Sequence, residues 1–231
     1  MRERPIRLKA HEVRAILSGA KSQTRHAVKL PHENPLGQWE ASTSGGYGAR
    51  DRKGNLVSEH ACIWHTRTGD TLSCPFGDVG DRLWVREKWA DLTATHGRHW
   101  EKQNPVTGLY ERGIHPFLWY AADGDQPEMG GGEINREPWR PSTSMPRSAC
   151  RVVLEITEVR VERLHAISAA DAEAEGLRKF PFEDSHAWAW RDGDRCGHAS
   201  PTGAFRSLWT STGGDWEANP WVWAISFRRL P

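Results

Sequence analysis

The stretch Cys150–Glu162 constrains the fold more than any other. Val152, Leu154 and Ile156 alternate with polar residues, and Val159 and Val161 then alternate in the opposite phase. Alternation at a period of two is the mark of a half-buried strand. A phase change at Thr157-Glu158 means one extra residue in the ladder, a β-bulge that bends the strand, as in a curled sheet or barrel. The closing stretch Trp221–Arg228 is a second such strand. Trp221, Trp223, Ile225 and Phe227 face one way, and Val222, Ala224 and Ser226 the other. A third is Arg82–Glu87, with Leu83 and Val85 on one side and Trp84 and Arg86 on the other.

Helical signals are short and few. Val13, Ile16 and Leu17 lie on one face of a helix over Arg7–Ser18, and Gly19 supplies its stop. Ser168 is an N-cap, with Asp171 three residues on and Ile167 placed to staple against Ala172; Gly176 ends that helix. Ala204–Trp209 forms a last short helix with Phe205, Leu208 and Trp209 on one side. Strands with a few short helices predict an α+β fold with a small curved sheet.

Long polar segments separate these elements. Pro31–Pro75 and Asp91–Pro146 carry few periodic apolar positions, and Phe182–Gly203 is rich in His, Trp and Asp. They read as insertions holding short hairpins or loops. A short strand is expected within Pro116–Ala121. The proline-punctuated run Trp139–Arg147 reads as an extended rim segment. A chain of 231 residues accommodates one domain with insertions or two small ones.

No apolar run reaches the ~20 residues of a membrane span. Met1-Arg2-Glu3-Arg4-Pro5 has no apolar core behind its charges, so no signal peptide is expected and the chain reads as cytoplasmic. Cys62, Cys74, Cys150 and Cys196 are widely spaced and are expected as free thiols. Cys62, His65 and Cys74 are types that bind zinc, but their spacing is loose and no fourth ligand stands out; no metal is expected.

Net charge is +1, yet Met1–Leu30 holds eight Lys or Arg against two Glu, a local patch able to attract phosphate. Thirteen tryptophans exceed what a small core needs, and indoles stack well on nucleobases. Within the basic patch lies Gly19-Ala20-Lys21-Ser22-Gln23-Thr24-Arg25. A Lys three residues before a Thr reaches its hydroxyl if the backbone curls, and a neutral amine can then activate it. Arg25 can hold a phosphate or carbonyl oxygen. A solvated basic turn would have the same composition. Glu173 and Glu175 stand in the last turn of the later helix, where the dipole disfavours an acid by ~0.3–1 kcal/mol. A carboxylate so placed is a candidate for function.

Gly19-x-Lys21-x-x-Thr24 resembles the signature of the ASCH domain family, PUA-like β-barrels. Arg25 and His26 stand where the family has a residue and then its Arg. Cys74–Gly77, Gly80–Glu87, Met145-Pro146-Arg147, Ile167–Leu177 and Asn219–Trp223 resemble the longer members found in phage and prophage genomes. About 31–73, 92–137 and 178–200 fall outside the resemblance and are expected as insertions in a single domain. The family implies binding of RNA or modified nucleosides, and its small members include N(4)-acetylcytidine amidohydrolases. Their catalytic residues map by motif onto Lys21 as base, Thr24 as nucleophile and Glu175 as proton shuttle. Arg25 would hold the oxyanion, Trp84 would stack on the base, and Arg86 and Glu87 would read its edge. No cofactor is implied.

Three rivals use the same residues or none of them: a non-catalytic reader of modified RNA or DNA bases, a ribonuclease, and a phage accessory protein acting through its insertions. The near-neutral net charge favours a small site over a long polyanion groove.

Overall fold

The computed structural model describes residues 1–96, 98–103, 110–126, 137–191 and 193–231. In chain order the elements begin with β1 (Glu3–Arg7), α1 (Ala10–Leu17), β2 (Gln23–Ala27), β3 (Trp39–Ser44), β4 (His60–His65), β5 (Thr71–Ser73) and β6 (Arg82–Arg86). There follow β7 (Trp89–Asp91), α2 (Thr93–His96), β8 (Arg98–Gln103), β9 (Tyr110–His115) and β10 (Leu118–Tyr120). The chain closes with β11 (Val153–Arg163), α3 (Ala169–Ala174), β12 (Arg178–Phe182), β13 (Ser185–Ala189), α4 (Pro201–Ser211) and β14 (Trp221–Arg229). This is a sheet-rich α+β fold, and none of the described sheets closes into a barrel. Among the described residues no helix is long and apolar enough to cross a membrane.

Two compact units are present: Met1–Ile6, Ala15–Trp84 and Val152–Pro231 form the first, Arg7–Arg14 and Val85–Arg151 the second. A five-stranded sheet in the order β1-β6-β11-β14-β2 organises the first. Its β6-β11, β11-β14 and β14-β2 pairs are antiparallel. The expected bulge is there: the β11–β14 register shifts between Ile156 and Glu158, leaving Thr157 unpaired. Each face is then set by alternation. Leu83, Leu154, Ile156, Ile225 and Phe227 are buried on one face. On the other, Val222 joins Leu164, Ile167 and Ala172 together with Ala204, Phe205 and Leu208 of α4 in one apolar cluster. Full burial of a residue such as Phe205 contributes roughly 1.5–3 kcal/mol.

The insertions carry more regular structure than their composition suggests. Within 31–73 lies an antiparallel sheet ordered β3-β4-β5. Within 178–200 lies the hairpin β12-β13. β1 also escapes the pattern analysis, because Ile6 is its one buried residue.

In the second unit β7 pairs with β10 and β8 with β9. Trp89, Tyr120, Met145 and Ala149 make its core. The expected strand within Pro116–Ala121 is β10. Trp139–Arg147 is extended with short 3-10 turns at Ser142–Ser144 and Arg147–Ala149.

Candidate functional site

Lys21 and Glu175, 154 residues apart, meet. Lys21 Nζ donates to Glu175 Oε2 at 2.7 Å and to the Glu175 carbonyl at 3.0 Å. Their side chains are 1% and 3% exposed. The approach begins in the backbone. α1 ends at Ile16–Leu17, and Gly19 at φ +79° turns the chain so that Lys21 N–H reaches the Ala15 carbonyl at 3.0 Å. Lys21 then bridges to Glu175, and Ser22 N–H donates to the Ala174 carbonyl at 2.9 Å. On the other side, the Ser168–Asp171 capping box starts α3 and Glu175 is its C-cap. Gly176 follows at φ +92°, and a Cβ there would stand 2.8 Å from Ala15 Cβ and 2.9 Å from Lys21 Cβ. Only glycine lets the end of α3 come this close.

Arg25 joins the pair. Its Nη1 donates to Glu175 Oε1 at 3.1 Å and to Gln23 Oε1 at 2.5 Å. Its Nε and Nη2 both donate to Glu162 Oε1, at 3.1 and 2.8 Å, and Nη2 lies 3.5 Å from Asp171 Oδ2. The guanidinium carbon stands 5.8 Å from the centroid of Phe205. Register explains how β2 reaches β11 over the intervening strand. Arg25 is opposite Ala224 and Ala224 is opposite Arg160, so a small residue sits between two long ones. Glu158, Arg160 and Glu162 share this face, and Arg160 bonds Asp171 at 2.8 Å. The network is sealed at Lys21 and opens to solvent at Arg160, whose side chain is 36% exposed.

Burial alone would raise the Asp171 carboxyl, but hydrogen bonds from Ser168, Arg160 and Gln23 outweigh it and hold it well below the usual carboxylate range. Buried charges survive only when paired and hydrogen-bonded, and here Lys21, Arg25 and Glu175 each make two or more hydrogen bonds.

The other expected site residues are placed differently. Thr24 is buried in β2 opposite Ile225, so alternation puts its side chain on the face away from Gln23 and Arg25. The backbone runs extended from Gln23 and does not curl there. Trp84 lies on β6, with β11 and β14 between it and β2, three inter-strand steps or roughly 14 Å. Arg86, in the second unit, donates to the Thr143 carbonyl. Glu87 pairs with Arg151 of the same unit. It is 1% exposed and accepts from Arg151 Nε and Nη2 at 2.9 and 3.1 Å. Burial raises its carboxyl despite that partner. Arg151 also grips Asp123 and lies 4.0 Å over the Tyr120 ring, which makes Glu87 an anchor of this unit's interior.

Among the described residues no group of three or more His, Cys, Asp or Glu could hold a metal ion. Cys62 and Cys74 are buried thiols pushed up by desolvation, and His65 Nδ1 accepts from Thr68 N–H at 3.2 Å. Gln23, Arg160, Glu162 and Asp171 are network members that no sequence motif singles out. The nearest signal is Glu158-x-Arg160-x-Glu162, alternating charges on one face of an alternating strand. No family model, no curated protein and no solved structure matches this chain.

Proposed function

We propose that this chain is an ASCH-type protein that binds a modified nucleoside or an RNA base at the Lys21–Glu175–Arg25 cluster. On this reading the five-stranded sheet, bent at Thr157, is the core of a PUA-like barrel. The observation that carries the proposal is the buried 2.7 Å contact between Lys21 and Glu175. A buried ion pair is weak as a stability device, since an apolar replacement of similar volume is often as good. Its presence at a strand start and a helix end therefore favours a binding role. The cluster interleaves donors (Lys21, Arg25) with acceptors (Glu175, Glu162, Gln23) that now satisfy one another. A base edge therefore has to enter from the open Arg160 end and take over some of these hydrogen bonds.

Amide hydrolysis is a second reading, favoured by the proton-transfer distance between Lys21 and Glu175. In it Lys21 first passes a proton to Glu175; the Thr24 hydroxyl then gives its proton to the neutral amine, and its oxygen attacks the amide carbon. The amine leaves with a proton passed through Glu175, and water then cleaves the Thr24 ester. This requires the start of β2 to turn until Thr24 faces Lys21.

Calorimetric titration with a panel of N-acylated and unmodified nucleosides and a short RNA, followed by chromatography of the mixtures, tests both readings. Binding that weakens about tenfold to a hundredfold in Lys21→Ala supports the site, the range expected for losing a charged hydrogen bond. Turnover absent from Lys21→Ala and Thr24→Val establishes the hydrolase; binding without turnover establishes the reader. No binding of any member contradicts both.

A further inference from the structure

The second unit contains a cavity of about 420 Å³ that the Lys21 site does not touch. Leu8, Ala10, Trp139 and Pro141 give it apolar walls, and Lys9 and Lys88 stand at it. Among the described residues no carboxylate lines it and neither lysine has an ion-pair partner. Lys88 Nζ lies 5.5 Å from the centroid of the Trp139 ring, so a cation and an aromatic face share one wall. The volume falls in the ~300–1,000 Å³ range of small-molecule pockets.

The walls are tied in place. Leu8 N–H donates to the Arg86 carbonyl at 3.1 Å, and Ala121 N–H to the Lys88 carbonyl at 2.9 Å. Trp89 and Arg140 exchange both backbone hydrogen bonds, at 3.2 and 2.7 Å, which fixes the segment carrying Trp139 and Pro141. Arg86 holds the next turn through the Thr143 carbonyl. Beneath them, Glu87 and Arg151 lock the start of the β7 segment. A site whose walls need no reordering loses little entropy on binding.

We infer that this cavity binds a nucleoside monophosphate group, its base stacked on Trp139 and its phosphate held by Lys9 and Lys88. The chemistry selects this class. An apolar slot with an indole wall accepts a flat ring. Two ammonium groups at one opening, with no ion-pair partner among the described residues, favour an anion there. A base carrying a phosphate supplies both on one molecule, and the Lys88 ammonium leaves the ring for the phosphate as the base enters. The group can come from a free mononucleotide or from the phosphorylated end of an RNA. The inference does not depend on the reading of the Lys21 cluster.

The test is calorimetric titration of the full chain with uridine and adenosine monophosphates, the matching nucleosides, inorganic phosphate, and a uridine trinucleotide with and without a 5′-phosphate. Monophosphates are expected to bind at least tenfold tighter than their nucleosides, and tighter than phosphate alone. Trp139→Ala should weaken binding about tenfold or more, the size of one stacked base. Trp139→Phe, which keeps an aromatic face and guards against misfolding, should retain most of it. Lys9→Ala with Lys88→Ala should remove the preference for the phosphate. If the 5′-phosphorylated trinucleotide binds as well as the monophosphates, the source is an RNA end; if it binds far more weakly, the source is a free nucleotide. Undetectable monophosphate binding at millimolar concentration overturns the inference, as does binding indifferent to both the Trp139→Ala and the double lysine substitution.

Discussion

Replacing Lys21 by Met leaves the Glu175 carboxylate buried with Arg25 as its remaining cation. Breaking a buried pair from one side costs on the order of 3–5 kcal/mol. Chemical denaturation should show that loss for Lys21→Met and for Glu175→Leu. The double variant should lose less than the sum, because each substitution removes the partner the other strands. Asp171 provides the pH test. Its carboxyl titrates lower in the folded chain than the ordinary value of ~3.9. The folded state therefore holds fewer protons, and the stabilisation is present above pH ~4 and lost as pH falls towards the depressed folded value. Urea denaturation from pH 5 downward should give a steeper decline for the wild type than for Asp171→Asn; parallel declines would contradict this. At this scale the sequence showed Lys21 and Glu175 as chemistry out of place. It did not show that Arg25 is committed, because Glu162 and Glu175 reach it only through strand register and helix docking.

α3 is six residues long, so its position depends on its ends more than on its propensity. Ser168→Ala removes half of the capping box and should cost about 1 kcal/mol in a thermal or chemical melt. Gly176→Ala combines a left-handed backbone with a 2.9 Å approach to Lys21 Cβ. It should cost more than about 1 kcal/mol and push Lys21 away from Glu175, seen as a shift of the Lys21 side-chain resonances; a stable variant with unchanged resonances would refute the close-approach argument. Local signals made several elements legible. The Ser168–Asp171 box, the Gly19 stop, the faces of β14 and the Thr157 bulge each need only neighbouring residues. β3, β4 and β5 were not legible, since Trp39–Ser44 and His60–His65 carry polar residues on positions a strand pattern would make apolar. The Glu87–Arg151 pair was not legible because the two residues lie 64 apart in sequence.

Over the whole chain the α+β class followed from short helices between alternating strands, while the pairing order β1-β6-β11-β14-β2 depends on long-range contacts that no local pattern encodes. The balanced charge of the chain, +1 overall, sets its response to salt. If RNA binds through a small site, one or two phosphates are neutralised, and log K should fall against log salt with a slope of roughly −0.7 to −1.4. Fluorescence anisotropy with a labelled oligonucleotide measures it, and a slope several-fold steeper would mean an extended basic track instead.

The most direct measurement uses protein labelled with ¹³C-lysine, with the Lys21 Cε resonance assigned by its absence in Lys21→Met. On titration with N(4)-acetylcytidine that resonance should move along a saturable isotherm, and the same isotherm should be lost in Glu175→Gln. A Lys21 resonance that stays fixed while the nucleoside binds, or while none binds at all, would contradict the assignment of the Lys21–Glu175 cluster as the ligand site.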